Sequence, residues 1–241
     1  MNLLLSAHAD DIAYSLGGAL LKGYISQITA TLVTVFQRGL YVPYARPKAS
    51  VEEASAIRDA EDLAYAAKVG LKHKGLGLRD VTLRGYPDLE DSIFTVTDYR
   101  QDPGAVESIE TIQSFLDEQT EMTRLWVPLA IGNHIDHVLL LKAVLGWKAK
   151  PELEVIFYED VPYAGFEELD SIETWVQQVI GSAEAEIIDI SEQFEKKLKN
   201  LEIYGSQVSQ DDIDLVKLHA RRIVPGLAVE RVWRRKKRLG E

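Results

Sequence analysis

Short apolar, often β-branched runs alternate with longer amphipathic stretches along most of this 241-residue chain. "NLLLSA", "ITATLVTVF", "RLWVPLA" and "LEVIFYE" read as buried strands, and "AEIIDI" adds a later strand-like run. Between and after them lie segments with apolar residues at helical spacing. These are "SLGGALLKGYISQ", residues 50–69, "AVESIETIQSFLDEQ", "VLLLKAVLGW", "SEQFEKKLKNLEIYGSQ" and "DDIDLVKLHARRIV". For residues 50–69, Ser50 and Glu53 supply a capping box and Gly70 a stop. This rhythm predicts an α/β fold: a mostly parallel sheet with helices on both faces. No repeat, linker or low-complexity run divides the chain, so one domain is expected over residues 1–241, ending in a short basic tail, "RVWRRKKRLG".

Composition removes several function classes. There is no cysteine, which excludes disulfides, thiolate metal sites and cysteine nucleophiles. The net charge of −11 argues against broad binding to nucleic acid or anionic membrane. No apolar stretch approaches the ~20 residues that span a bilayer. "MNLLLSAH" lacks the basic region of a signal peptide, so a cytoplasmic location is expected. The basic C-terminal segment reads as a solvated tail or the last turns of a helix, where cations suit the dipole; docking of an acidic partner is the alternative. Nothing in the sequence sets an oligomeric state.

Two places combine a strand end with chemistry. "LLLSAHADD" ends its apolar run in His8, Asp10 and Asp11; "LWVPLAIGNHIDH" ends in His134, Asp136 and His137. Three of the five histidines therefore sit in two short motifs. Either motif alone is compatible with a turn and a helix cap. In an open parallel sheet, however, ligands bind at the C-terminal ends of strands, where the two motifs can meet. Two imidazoles and one carboxylate would form a catalytic zinc site with a position left for water. The adjacent Asp10 and Asp11 suit a division into ligand and base. His134 and His137, three apart, would share a helix face, one on the metal and one toward substrate. Two irregular segments, "RGLYVPYARPKAS" and "YEDVPYAGFEE", carry aromatics and proline. They are expected to wall the cleft, Tyr44 and Tyr163 among them; packed loops are the alternative. Arg38, Arg46, Lys48 and Arg58 are candidates to hold a phosphate or carboxylate on the substrate.

"AHADD" and "HIDH" together resemble the signature of the PIG-L/LmbE-type zinc-dependent N-deacetylases, whose motifs are usually A-H-P-D-D and H-P-D-H. "IRDAEDLAYAAKVGL" is similar to that family's R-x-x-E helix, "LRGYPD" to a strand and turn ending in Pro-Asp, and "YGSQ" to a late S-Q segment. The resemblance spans roughly residues 3–207 and implies a Rossmann-like fold. It implies His8, Asp11 and His137 as zinc ligands, with Fe²⁺ or Co²⁺ also suited to the donor set. It makes Asp10 the general base and His134 the group that, protonated, stabilises the oxyanion or that protonates the leaving amine. Asp136 becomes the carboxylate that orients a histidine. Arg58 and Tyr163 are the substrate-binding candidates, a salt bridge from Arg58 to Glu61 or Glu53 being the alternative for the arginine. Gly17 and Gly18 would let the chain pass close to the pocket or serve helix packing.

Both motif prolines are replaced, by Ala9 and Ile135, which bears on loop stiffness and leaves every donor in place. The implied activity is removal of an acetyl group from an amide nitrogen on a small molecule, most readily an N-acetylated amino sugar or a sugar-containing biosynthetic intermediate. A non-catalytic member of the same fold and a metal-dependent hydrolase of another bond are the alternatives.

Overall fold

The structure, a computed structural model, describes residues 1–45, 48–86 and 93–236. Arg46, the Pro-Asp of "LRGYPD" and the basic residues from 237 onward lie outside the described residues. Among the described residues, seven strands form one sheet. They are β1 (Asn2–Ser6), β2 (Ala30–Thr34), β3 (Lys72–Gly75), β4 (Arg124–Pro128), β5 (Glu154–Tyr158), β6 (Ala183–Asp189) and β7 (Val229–Arg235). Their order is β3-β2-β1-β4-β5-β7-β6, parallel from β3 through β5 and antiparallel at β5–β7 and β7–β6.

Among the described residues seven α-helices accompany them: α1 (Asp11–Lys22), α2 (Val51–Val69), α3 (Ala105–Asp117), α4 (Ile135–Gly146), α5 (Leu169–Ile180), α6 (Phe194–Leu201) and α7 (Gln210–Arg222). The chain runs outward from β1 through β2 to β3, then returns to lay β4 on the other side of β1. Right-handed crossovers then send the helices of the two halves to opposite faces. Accordingly α1 packs with α2 and α6, and α3 packs with α4. The β1/β4 boundary is the topological switch point, and the loops that leave both strands open onto the crevice there.

Local chemistry builds the elements that were legible in advance. The Ser50 side chain accepts from the Glu53 amide and the Glu53 side chain answers to the Ser50 amide, a box that stabilises α2 by about 1 kcal/mol. Gly70 closes α2 in the left-handed conformation at φ 76°. Gly18 is required by packing: a Cβ there would lie 2.5 Å from Cδ1 of Ile190. A Cβ on Gly17 would lie 3.3 Å from both Lys197 and Tyr65. Of the two readings for these glycines, helix packing is the one realised.

The C-terminal segment differs from expectation. Residues Val229–Arg235 are neither tail nor helix; they form β7, which lies inside the sheet between β5 and β6. Its charges are internal partners. Glu230 accepts from Lys197 and from the amides of Gly18 and Ala19, and Arg231 pairs with Glu159. The positive charge concealed a strand buried continuously from Val229 to Trp233, as a strand inside a sheet covered on both faces requires. "LRGYPD" also differs: Val81–Leu83 is a single 3₁₀ turn, not a strand. No helix among the described residues is long and apolar enough to cross a membrane.

Candidate metal centre and its cleft

His8 lies two residues past the end of β1, and Leu4 of β1 pairs with Trp126 of β4. Strand adjacency therefore brings the first motif beside the second. A tight turn presents His8: Ser6 Oγ donates to the His8 carbonyl at 2.5 Å, and the His8 amide donates to Asp11 Oδ2 at 2.7 Å. Asp11 opens α1 and Asp10 stands at its N-cap with no capping hydrogen bond. After β4 the chain turns through left-handed Ala130, Gly132 and Asn133, and His134 caps α4. A side chain on Gly132 would put its Cβ 2.8 Å from Cβ of Tyr163, so the close approach needs glycine there.

Three imidazoles meet in the crevice. Ligand nitrogens of His8, His134 and His137 all lie within 4.8 Å of one another and can hold a metal ion. Nδ1 of His8 is 3.3 Å from Nε2 of His137, and Oδ1 of Asp11 is 3.5 Å from that same Nε2. The outer nitrogens are occupied. Nε2 of His8 lies 2.9 Å from Oδ2 of Asp136, and Nδ1 of His137 lies 2.6 Å from Oδ1 of Asp160. Each carboxylate thus turns the remaining nitrogen of its histidine inward, as metal-binding histidines require. His134 is held differently: its Nδ1 accepts the Asp136 amide at 3.2 Å, which leaves a neutral ring with its N–H on Nε2.

Asp136 is buried and fixed from three sides. Besides His8 it accepts the Val81 amide at 3.1 Å, and Arg84 Nη2 approaches its Oδ1 at 2.5 Å. Arg84 also grips Asp102 through Nε and Nη2. Burial would raise the Asp136 carboxyl, but the His8 hydrogen bond and the Arg84 charge outweigh it and hold the group well below the usual carboxylate range. Burial alone would lower His137; Asp11 and Asp160 reverse the sign and push it up to about 9. Burial and the neighbouring imidazoles drive His134 well below its ordinary value. Asp10 is pushed up to about 7 by burial and by the adjacent Asp11 carboxylate. A cluster that holds an extra proton on His137 among four carboxylates is one that favours a cation, and imidazole with carboxylate is a zinc-type donor set.

Above the imidazoles is a cleft of about 450 Å³. Its lining includes His8, Asp10, Asp11 and His134 from the motifs, with Tyr41 and Tyr163 from the two irregular loops. Both loops therefore border the cleft, although Tyr44 is 57% exposed and is not among the lining residues. Tyr163 stacks on His134 with ring centroids 6.1 Å apart. Arg58 lines the cleft too, but its partner is neither Glu53 nor Glu61: Nη1 donates to Asp80 Oδ2 at 2.6 Å, both side chains being buried. Arg38 pairs with Glu52, and neither it nor Lys48 reaches the lining.

Sequence reasoning did not find Asp160, Arg84, Asp102, Asp80 or Asp212 as site residues. One signal was available for Asp160. It stands two residues past β5, the offset His8 has from β1, in a segment singled out only for its aromatics.

Comparison with known proteins adds an independent line. Residues 3–148 match the family model PIG-L, GlcNAc-PI de-N-acetylase. The chain is 35% identical over 225 residues to the 2'-N-acetylparomamine deacetylase of Streptomyces fradiae, covering 92% of this chain and 79% of that protein. A deacetylase in the biosynthesis pathway of teicoplanin is 25% identical and superposes with a TM-score of 0.74 over 96% of each chain. The N,N'-diacetylchitobiose deacetylase of Pyrococcus horikoshii shares the fold at 19% identity and a TM-score of 0.58, over 96% of this chain and 82% of that one.

Proposed function

This chain belongs to the PIG-L family of GlcNAc-PI de-N-acetylases, and from that premise we propose that it hydrolyses the N-acetyl amide of an amino sugar within a sugar-containing biosynthetic intermediate. The observation that carries the reading is the pair of outer-shell carboxylates. Asp136 and Asp160 commit the outer nitrogens of His8 and His137 and turn the inner ones toward each other, with Asp11 beside that of His137. On this reading His8, Asp11 and His137 hold the metal, zinc by preference and Fe²⁺ or Co²⁺ as alternatives. The metal supplies Lewis acidity, which lowers the pKa of a water and polarises the amide carbonyl.

The chain's own groups do the rest. Asp10 lines the cleft, and its carboxylate accepts from its own backbone amide but makes no capping hydrogen bond, so it can take the proton of the attacking water. His134 presents a neutral Nε2–H, the Nδ1 side being occupied, and donates to the carbonyl oxygen as negative charge develops there. This replaces the protonated imidazolium of the sequence-based expectation. The proton gathered by Asp10 is available to the departing amine. Asp136 orients His8 and, through its backbone amide, His134. Arg58, locked on Asp80, and Tyr163, stacked on His134, shape the substrate side. The names of the relatives support an amino-sugar substrate.

The test is metal analysis of the purified protein, then acetate and amine release from a panel of N-acetylated amino sugars with metal added stepwise. Metal-dependent release from at least one of them is expected. A protein that binds no divalent metal, or that loads metal and cleaves none of the panel, would refute the proposal.

A further inference from the structure

The cleft carries four carboxylates, Asp10, Asp11, Asp80 and Asp212, against one guanidinium. Three are accounted for. Arg58 neutralises Asp80, whose other oxygen accepts the Thr82 amide, and Asp10 and Asp11 face the metal centre. Asp212 is not used by the chemistry. It comes from the first turn of α7, far from both motifs in sequence. Its Oδ2 accepts the Ser209 amide at 2.8 Å and the Ser209 hydroxyl at 2.7 Å. Among the described residues its Oδ1 has no hydrogen bond and no cation pairs with it.

Two neighbouring oxygens in the lining are equally uncommitted. Tyr14 is 3% exposed, and its hydroxyl has no hydrogen-bond partner among the described residues. Burial, reinforced by the nearby Asp10 and Asp212 charges, pushes that hydroxyl far above its ordinary value, so it remains a neutral phenol. Gln207 is also 3% exposed. Its amide nitrogen donates to Glu61 at 2.9 Å, which fixes the flip and leaves Oε1 without a donor among the described residues. Glu61 also holds Ser206, so the loop that delivers Gln207 is anchored to α2. Tyr14 and Gln207 are buried residues and Asp212 is half-buried, and all three line the open cleft, where their uncommitted oxygens are available to a ligand.

We propose that Asp212, with the Tyr14 hydroxyl and the Gln207 carbonyl, forms a subsite for a protonated amine carried by the substrate outside the scissile acetamide. An ammonium brings three N–H donors and one positive charge. The wall offers acceptors and one unbalanced negative charge. A phosphate or carboxylate would instead face Asp212, and the cation in the described lining, Arg58, is already paired with Asp80. The inference deepens the deacetylase reading and rests on it for the second half of the substrate: an N-acetyl amino sugar bearing a further basic amine.

Three β-glycosides of N-acetylglucosamine separate the cases, with 2-aminoethyl, 2-hydroxyethyl and carboxymethyl aglycones, each also prepared in deacetylated form. The acetylated set is assayed for turnover on the metal-loaded protein. The deacetylated set is titrated calorimetrically into the same protein, which reads binding without catalysis. The aminoethyl compounds are expected to lead by about tenfold, through KM rather than kcat and equally in product binding, and to lose that lead in raised salt. In Asp212→Asn, which retains an oxygen for the Ser209 cap, the lead disappears while the thermal midpoint stays close to that of the parent. If the acetylated compounds are cleaved alike and the products bind alike, the cation subsite is wrong and the deacetylase reading stands. If none is cleaved but the aminoethyl product binds tighter in an Asp212-dependent way, the deacetylase reading fails and the subsite survives. A lead that persists in Asp212→Asn overturns the assignment to Asp212.

Discussion

Oδ1 of Asp160 sits 2.6 Å from Nδ1 of His137, and this one contact decides which ring nitrogen faces His8 and Asp11. The same carboxylate accepts the Ile131 amide at 3.0 Å through Oδ2, so it ties the loop after β4 to the end of β5. Asp160→Asn keeps the volume but weakens the ring's orientation and basicity. Metal affinity is expected to fall by about 10–100-fold. A chelator-competition titration measures it. Unchanged affinity would mean that His137 is positioned by something else.

Asp10 and Asp11 are adjacent and chemically identical, and the structure separates them. Asp11 faces His137 at 3.5 Å and also braces the His8 amide; Asp10 lines the cleft without a side-chain partner. Asp11→Asn should lose metal, with activity partly recovered in excess zinc. Asp10→Asn should keep metal and lose about 10²–10⁴-fold in turnover with little change in KM. Metal content and steady-state kinetics on both variants are the check. A metal-free Asp10→Asn, or one that turns over at the parental rate, would reverse the roles.

Tyr163 stacks on His134 and lies 5.7 Å, centroid to centroid, from Phe94 across the cleft wall. Replacing it with alanine opens that wall and leaves His8, Asp11 and His137 in place. The ranking of N-acetylated substrates should shift by about tenfold or more for those that fill the wall. Metal content should be unaltered. A uniform drop across all substrates would instead point to a displaced His134.

Glu159 is a buried carboxylate under three donors: Arg231 at 2.5 Å, His219 at 2.7 Å and Trp233 at 2.8 Å. Burial raises its pKa, but the His219 hydrogen bond and the Arg231 charge prevail and hold it below the ordinary value. A depressed folded-state pKa contributes stability that is complete above the unfolded pKa of about 4.3 and vanishes as pH falls through the folded one. Glu159→Gln leaves the buried Arg231 with only the exposed Glu173, 3.4 Å away, as a carboxylate partner, a change that costs up to about 3–5 kcal/mol near neutrality. The gap in stability between parent and variant should therefore narrow as pH drops below about 4.3. Denaturant unfolding of both proteins across that range measures it; a pH-independent gap would show that Glu159 contributes by shape alone.

The sequence by itself determined the elements and the chemistry at their ends. Periodicity located β1, β2, β4 and β5, the Ser50–Glu53 box located the start of α2, and the donors of "HADD" and "HIDH" were read with their spacing intact. Those signals are local, because a strand's pattern and a helix cap depend on neighbours a few residues away. The tertiary structure decided everything that depends on which strands lie side by side. It placed β4 against β1, so that His137 meets His8. It brought Asp160 from just past β5 to His137, Arg84 from the end of a 3₁₀ turn to Asp136, and Asp212 from the start of α7 to the cleft lining. It also buried β7, whose arginines look solvated in one dimension and find Glu159 and Glu154 in three. No spacing rule connects such residues: their partners are fixed by strand order, and strand order emerges only when the whole sheet has paired.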